Sequence, residues 1–531
     1  MYGEDFEYNK SGVGTSRTDG GRATSSTDRT TNWVNTSILR YNKTFGDIGL
    51  KTYVGYEAQK VTETGNFVQR RNFLPNTYTL DNASILMDGG QDATANSLNS
   101  VFANASADYQ SKYYVSASFR RDGSSRFGSD RRYGNFWSLG ASWNVIKEDF
   151  MSDQKIFSDL RLRTSYGVNG NQDISNFASR ALYTATAYDN SPGLIFSNYG
   201  NNLLTWEKNK PFNIGLDFGV LKNRLTGTFE YYSRESSGLL LSRPISATNG
   251  LTSYLDNVGA IKNSGLELEL NSINIQPKGD GLEWRTSFNI STMKNKITEL
   301  TSPIITGGYN RFVGGDFYQI YYPGYAGVNP DNGEALWYVD ETKTQTTNVY
   351  GSAKQFNQGS ALPDFFGGLT NTFSYKGFSL SFQLYFTVGN KIYDNYGASG
   401  ASDGSQGFAP TAKMTRYTYE NRWQKPGDVT LQPKIVYLGT QSGASSQQST
   451  RFLYDGDYVR LREVTLAYQL PNKWLKSTKI SSASLYFRAN NLFTYIKDDR
   501  VTFDPEVGID GFADKNIPVY RTALLGLDVK F

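Results

Sequence analysis

Thr522-Ala-Leu-Leu-Gly-Leu-Asp-Val-Lys-Phe531 ends the chain, and its pattern decides the fold. Ala523, Leu525, Leu527, Val529 and Phe531 share one parity. Thr522, Gly526, Asp528 and Lys530 share the other, with Leu524 the exception. A β-strand points successive side chains to opposite faces, so this segment carries one apolar and one polar face. Further back, the same period places Phe212, Ile214, Leu216 and Phe218 opposite Asn213, Gly215 and Asp217. It recurs over 113–119, 225–231, 378–388 and 483–489. Fifteen strands are predicted, beginning near Trp33, Ile48, Val101, Tyr113, Asn135, Leu160, Phe212, Leu225, Ser264, Leu282, Phe365, Phe378, Val459, Ala483 and Ala523.

Alternation also suits a soluble sandwich; the connections decide between the two. Short turns at 42–47, 110–112, 220–224 and 375–377 take turns with long excursions. The long ones lie near 60–100, 169–211, 232–263, 291–364, 389–458 and 490–522, with 1–32 read as most of another. Long connections on one side of a sheet and short ones on the other describe an outer-membrane barrel, with extracellular loops and periplasmic turns. The predicted fold class is therefore all-β, a transmembrane antiparallel β-barrel occupying 1–531 without a composition break. Localisation follows as the outer membrane of a Gram-negative bacterium, with lipid around the strands.

Composition agrees. The chain has 37 Tyr, 32 Phe and 8 Trp but only 38% apolar residues, as expected where one face alone meets lipid and aromatics gather at the headgroups. No stretch approaches the ~18 apolar residues of a spanning helix. With no Cys there is no thiol chemistry, and with no His the usual general base and commonest zinc ligand are gone. No catalytic signature stands out, so the reading is a non-enzyme, and no cofactor is expected. Lys and Arg exceed Asp and Glu by 54 to 50, too little to imply a nucleic-acid partner. Single-chain bacterial barrels have even strand numbers, and Met1-Tyr-Gly-Glu-Asp-Phe-Glu-Tyr8 is no secretory signal. The expectation is a piece of a longer gene product.

Several motifs, in order along the chain, resemble the SusC/RagA family of TonB-linked outer-membrane transporters. They are Asp122-Gly-Ser-Ser-Arg-Phe127, Tyr133-Gly-Asn-Phe-Trp-Ser-Leu-Gly140, Leu160-Arg-Leu-Arg-Thr-Ser-Tyr-Gly-Val-Asn-Gly-Asn-Gln172 and Trp206-Glu-Lys208. Gly324-Tyr-Ala-Gly-Val-Asn-Pro-Asp-Asn-Gly333, Tyr458-Val-Arg-Leu-Arg462, Asn490-Asn-Leu-Phe-Thr494 and Asp504-Pro-Glu506 continue the match. It runs from about residue 115 to the end and is weak over 1–100. The resemblance implies a 22-stranded barrel, of which this chain holds about the last fifteen strands, with the plug domain and TonB-contacting segment outside it. It further implies import of oligosaccharides or peptides, energised by TonB through that missing N-terminal part, with a SusD-like surface lipoprotein as lid. The alternatives are a plugless surface-binding barrel or a non-functional fragment.

Candidate site residues come from the loops and the terminus. Tyr309, Phe312, Phe317, Tyr318, Tyr321, Tyr322 and Tyr325 crowd the start of one long loop. Such rings stack on sugar or peptide faces, and equally pack loops against one another. Ligand contact is assigned to Tyr309, Phe312, Tyr318, Tyr321 and Tyr322. Asp498, Asp499, Asp504 and Glu506, with Asp510 and Asp514 nearby, offer hard oxygen ligands for Ca²⁺, although a loop-stabilising charge cluster is the stronger reading. Asp122-Gly and Asn169-Gly-Asn171 read as turns. The parity slip between Leu461 and Val464 indicates a β-bulge around 462–463. Phe531, a terminal aromatic on an amphipathic strand, is implied by the resemblance to be a signal to the barrel-assembly machinery. Substrate, lid partner and oligomeric state are not legible in this sequence.

Overall fold

Every predicted strand start falls on a strand, or within a residue of one, in the computed structural model. The structure describes residues 2–9, 19–189, 191–277, 279, 281–401, 404, 414–437, 445–477, 479–514 and 517–531. Parts of the predicted connections 1–32, 389–458 and 490–522 lie outside these residues. The chain divides into two units, Met1–Ala141 with Ser165–Pro211 and Ser236–Val258, and Ser142–Thr164 with Phe212–Glu235 and Gly259–Phe531.

In the first unit, Tyr2–Asn9, Arg22–Phe45, Ile48–Phe73, Ala83–Tyr109 and Tyr113–Ser124 pair antiparallel in chain order. This corrects two expectations. Residues 2–9 and 22–32 lie on paired antiparallel strands, and 60–100 is strand except at 74–82. These stretches lack alternation because side chains on both faces are mostly polar. The backbone ladder holds them, with a small cluster of Ala23, Phe73 and Ala83 under Tyr8 and ion pairs from Asp19 to Arg22 and Arg71. From Thr31 to Ile48 every residue is exposed, so no second sheet covers either face there. A soluble sandwich would bury one.

In the second unit, Ala260–Ile275, Glu283–Thr292, Phe365–Tyr375, Phe378–Val388, Tyr458–Gln469, Ser482–Ile496 and Thr522–Lys530 form an antiparallel meander. Lys294–Glu299 is an additional strand that pairs with the start of Ala260–Ile275. The hairpin at Lys376-Gly377 has both residues at positive φ, 48° and 84°, the conformation a two-residue turn needs to match strand twist. The bulge is present: Gln383 pairs with Glu463 and Leu384 with Leu461, leaving Arg462 as the extra residue.

Register lines up the apolar faces. Trp284, Phe373, Leu380, Leu466, Phe487 and Leu525 form one cross-strand row. Leu270, Phe288, Leu369, Leu384, Leu461 and Phe493 form another. In the first row Leu380, Leu466, Phe487 and Leu525 are 40–70% exposed. A contiguous exposed apolar band of this kind calls for a non-aqueous neighbour. Asn371 sits among these residues, but its side-chain oxygen accepts from the Trp284 indole at 2.8 Å and the Thr286 hydroxyl at 2.7 Å, so its cost is reduced. The opposite face is polar: Thr372, Ser381, Thr465 and Arg488 share a row that ends on the exceptional Leu524.

Buried clusters lie where chain segments leave the sheets. In the first unit, Phe127, Phe136, Leu204 and Trp206 form one. Trp206 donates its indole N–H to the Arg132 carbonyl at 2.9 Å. A Cβ at Gly134 or Gly170 would overlap the Phe136 ring. Asp122-Gly and Asn169-Gly-Asn171, read as turns in sequence, instead lie within the strands Tyr113–Ser124 and Phe157–Asn171, and none of them has a positive φ. Their glycines make room for a packing knot that fixes Ser165–Asn171 against 122–136 and Trp206.

Candidate functional site: the packed loops of the second unit

Within the connections 291–364 and 389–458 the described residues form further short strands and helical turns. Ile304–Thr306, Tyr309–Arg311, Gln319–Pro323 and Gln355–Ser360 make a four-stranded sheet; Tyr325–Val328, Ala335–Tyr338 and Thr346–Thr347 make a three-stranded one. Lys391–Asp394 pairs antiparallel with Leu453–Asp455 and parallel with Phe512–Ala513, drawing three distant segments together. Likewise 169–211 contains the hairpin Leu182–Tyr188 and Ser191–Asn198, and 232–263 contains Leu240–Pro244 paired with Ser253–Asn257.

The loop aromatics divide into two groups. Tyr309 and Tyr322 are buried with Ile320, Tyr393, Phe452 and Leu453, and Tyr318 packs against that cluster. Ring centroids lie 5.7 Å apart for Tyr309 and Tyr318, and 5.0 Å for Tyr322 and Tyr393. Tyr309 donates its hydroxyl to the Asp510 carbonyl, and burial pushes its pKa well above the usual phenol range. These three rings hold the loops together; they are not open surfaces. Phe312 and Tyr321 differ: with Gln319, Asp340, Lys354 and Phe356 they line a cleft of about 470 Å³. Of the five aromatics assigned to ligand contact, these two stand at an accessible cavity. Phe317 carries the Arg311 guanidinium 4.0 Å above its ring.

Three of the acidic set, Asp498, Asp504 and Glu506, are committed to arginines. Arg460, 2% exposed, donates from Nη2 to Asp504 at 2.5 Å, from Nη1 to Glu506 at 2.9 Å and from Nε to Thr494 at 3.1 Å. Arg462 on the bulge reaches the other Glu506 oxygen at 2.7 Å. The second Asp504 oxygen accepts the Val519 N–H at 3.1 Å. Asp498 is chelated by Arg500 at 2.9 and 2.6 Å, which holds its carboxyl below the usual range. Asp499 is exposed, and Asp514 accepts from Asn395 at 2.7 Å. Among the described residues no group of three acidic side chains could hold a metal ion. The Ca²⁺ reading gives way to ion pairs that pin Asp504 and Glu506 onto the strand Tyr458–Gln469. Sequence reasoning could not supply Arg460, because its partners are over forty residues away.

A second cleft, of about 320 Å³, is lined by Tyr325, Lys343, Lys391, Arg451, Tyr454 and Arg500 among others. None of its cations was singled out in the sequence. Arg451 is buried, donating to the Ser445 carbonyl at 2.8 Å and to the Gln432 amide oxygen.

No helix among the described residues is long and apolar enough to cross a membrane, which bears on helices alone. With exposed apolar rows on the strands and packed segments between them, the class is an outer-membrane β-barrel. The chain belongs to the TonB dependent receptor-like, beta-barrel family, whose pattern it matches over residues 2–492. It is 30% identical to the TonB-dependent receptor P3 of Formosa agariphila, over 96% of this chain and 53% of that protein. It is also 30% identical to the TonB-dependent receptor SusC of Bacteroides thetaiotaomicron, over 93% of this chain and 49% of that protein. The RagAB peptide transporter superposes with a TM-score of 0.83 at 26% identity, over 96% of this chain and 56% of that one. The chain thus spans about half the length of the curated relatives it matches. The resemblance read from the motifs to SusC/RagA proteins holds, and the family is one of receptors and transporters, located in the outer membrane of Gram-negative bacteria.

Proposed function

We propose that the protein to which this chain belongs imports a nutrient oligomer, an oligosaccharide or a peptide, across the outer membrane. TonB supplies the energy through a segment outside this chain, and a SusD-like surface lipoprotein caps the extracellular mouth. The observation that carries this reading is the family match over residues 2–492. The likeness to a peptide transporter and to SusC supports it, as do long connections built as packed platforms, since loops beyond about 12–15 residues are usually functional or disordered. On this reading, 169–211, 291–364 and 389–458 are extracellular, and Phe312 and Tyr321 are offered to ligand. Phe531, 88% exposed beyond the last strand, serves the assembly machinery.

Two measurements test the proposal. A surface lipoprotein should co-purify with the full-length protein, and uptake should stop when TonB is deleted. Failure of both leaves a surface-binding barrel instead. For orientation, single cysteines at Asn332 and Lys376 suit a chain with no native Cys. An impermeant reagent on intact cells should label position 332 and spare 376; the reverse pattern would invert the topology.

A further inference from the structure

The four-stranded loop sheet has two unlike faces. On its strands Tyr309–Arg311, Gln319–Pro323 and Gln355–Ser360, one face buries Tyr309, Ile320, Tyr322 and Phe356. Alternation turns the intervening side chains the other way. Asn310, Gln319, Tyr321, Gln355 and Asn357 accordingly line the cleft of about 470 Å³, together with Phe312. The inner face does the packing, and the four amides opposite add nothing to it.

These groups are vacant. Neither the Tyr321 nor the Phe312 ring stacks on another ring or lies under a cation among the described residues. Tyr309, Tyr318 and Tyr322 are all in ring contact with neighbours. The Tyr321 hydroxyl and the amides of Asn310 and Gln355 also lack a partner among the described residues. Asn357 spends its oxygen on the Gly359 N–H at 2.9 Å, which leaves its amide nitrogen as a donor. Gln319 is the sharpest case, because its amide oxygen is buried with no hydrogen-bond partner. Buried acceptors are almost always paired, so this one awaits a donor that arrives with water or ligand. Gly315 makes room for it: a Cβ there would stand 2.6 Å from that oxygen and 3.0 Å from the Phe312 ring.

Charges of both signs border the cleft. Asp340, Glu341 and Lys354 are in its described lining, and Lys343 stands 5.8 Å over the Phe356 ring. Asp340 already accepts the Thr342 N–H at 3.0 Å and hydroxyl at 2.6 Å. With neither sign offered alone, selection falls to the amides and the rings.

We propose that this cleft binds a neutral oligosaccharide, with sugar faces against Tyr321 and Phe312 and ring hydroxyls on the amides of Asn310, Gln319, Gln355 and Asn357. The inference names the substrate class at the site where the importer reading puts ligand, and it rests on that reading for the source of the sugar. A side-chain amide offers a donor and an acceptor side by side, and a sugar hydroxyl is both as well. An aromatic ring supplies the flat apolar surface that the C–H face of a hexose covers. The volume falls within the about 300–1,000 Å³ usual for small-ligand pockets.

The test is calorimetric binding to purified full-length protein. The probes are maltohexaose, laminarihexaose, xylohexaose and mannohexaose as neutral sugars, with hexagalacturonate and a glycine–serine hexapeptide as contrasts. The peptide carries hydroxyls and amides but no sugar face. At least one neutral sugar should bind at least about tenfold more tightly than either contrast, with an affinity indifferent to salt. Tyr321→Ala should weaken that sugar about tenfold, and Tyr321→Phe, which keeps the ring, about threefold or less. Gln319→Met removes an acceptor that has no donor, so thermal stability should hold while affinity falls about three- to tenfold. Tyr322→Phe, on the packed face, should leave affinity unchanged. Failure of all four neutral sugars to bind, tighter binding of the uronate or the peptide, or indifference to Tyr321→Ala or Gln319→Met would each overturn the proposal. A loss in Tyr322→Phe equal to that in Tyr321→Ala would mark the effect as loop packing and overturn it too. Binding does not require TonB, so these outcomes are distinct from loss of the importer reading, which rests on uptake and lipoprotein capture.

Discussion

Leu466→Arg should destabilise the folded protein in a bilayer by about 2–4 kcal/mol, while Thr465→Arg should cost about 1 kcal/mol or less. The two residues are neighbours on one strand, so local propensity is nearly matched and only the face differs. Leu466 stands in the exposed apolar row between Leu380 and Phe487. An arginine there must desolvate its charge or drag water into the hydrocarbon. Thr465 lies between Ser381 and Arg488 on the polar face, where a guanidinium remains hydrated. Denaturant titration of full-length protein refolded into liposomes measures both. Equal midpoints for the two variants would mean that the apolar band does not face lipid, and the assignment of faces would fall.

Arg460→Met should cost about 3 kcal/mol, felt locally before it is felt globally. Removal of the guanidinium leaves Asp504 without its counter-ion beside a buried position, and deprives Glu506 of one of two arginines. Glu506 is about a third exposed and regains water, so most of the penalty falls on Asp504. Among its described residues the segment they anchor has the short pairing of Phe512–Ala513 with Lys391–Asp394 as its further sheet support. Release of that anchor should therefore raise amide exchange over 498–514 by one to two orders of magnitude, in keeping with that free energy, while the rows of the sheet keep their protection. Arg460→Lys should rescue partly, since an ammonium satisfies charge but cannot span both carboxylates and Thr494. Unchanged exchange in the methionine variant would show that the ion pairs do not anchor the segment.

What sequence could and could not disclose follows from the same physics. Strands such as Phe378–Val388 and Thr522–Lys530 were legible because lipid on one face and water on the other impose a period of two. Arg22–Thr31 and Ala83–Ser100 belong to strands just as regular, yet both faces are polar and nothing alternates, so they read as loop. Within the candidate site, the tyrosine cluster was visible as composition. Burial then separated Tyr309, Tyr318 and Tyr322 from Phe312 and Tyr321, and burial depends on partners contributed by residues around 393, 452 and 512. The acidic stretch was equally visible, but its meaning lay in Arg460 and Arg500, whose pairing geometry no linear spacing reveals.

The three strands Arg22–Phe45, Ile48–Phe73 and Ala83–Tyr109 contain 24, 26 and 27 residues, whereas a tilted strand crosses hydrocarbon in about 9–11. Roughly 15 residues of each, on the order of 50 Å of strand, are left to stand in water. Proteases take hold of substrate backbone by pairing with an unpaired, extended segment. In the central strand Ile48–Phe73 the backbone is flanked by ladders on both sides, so that grip is already taken. The part of this strand that reads in sequence as a long connection over 60–100 should therefore resist digestion through its main chain and tolerate wide change in its side chains.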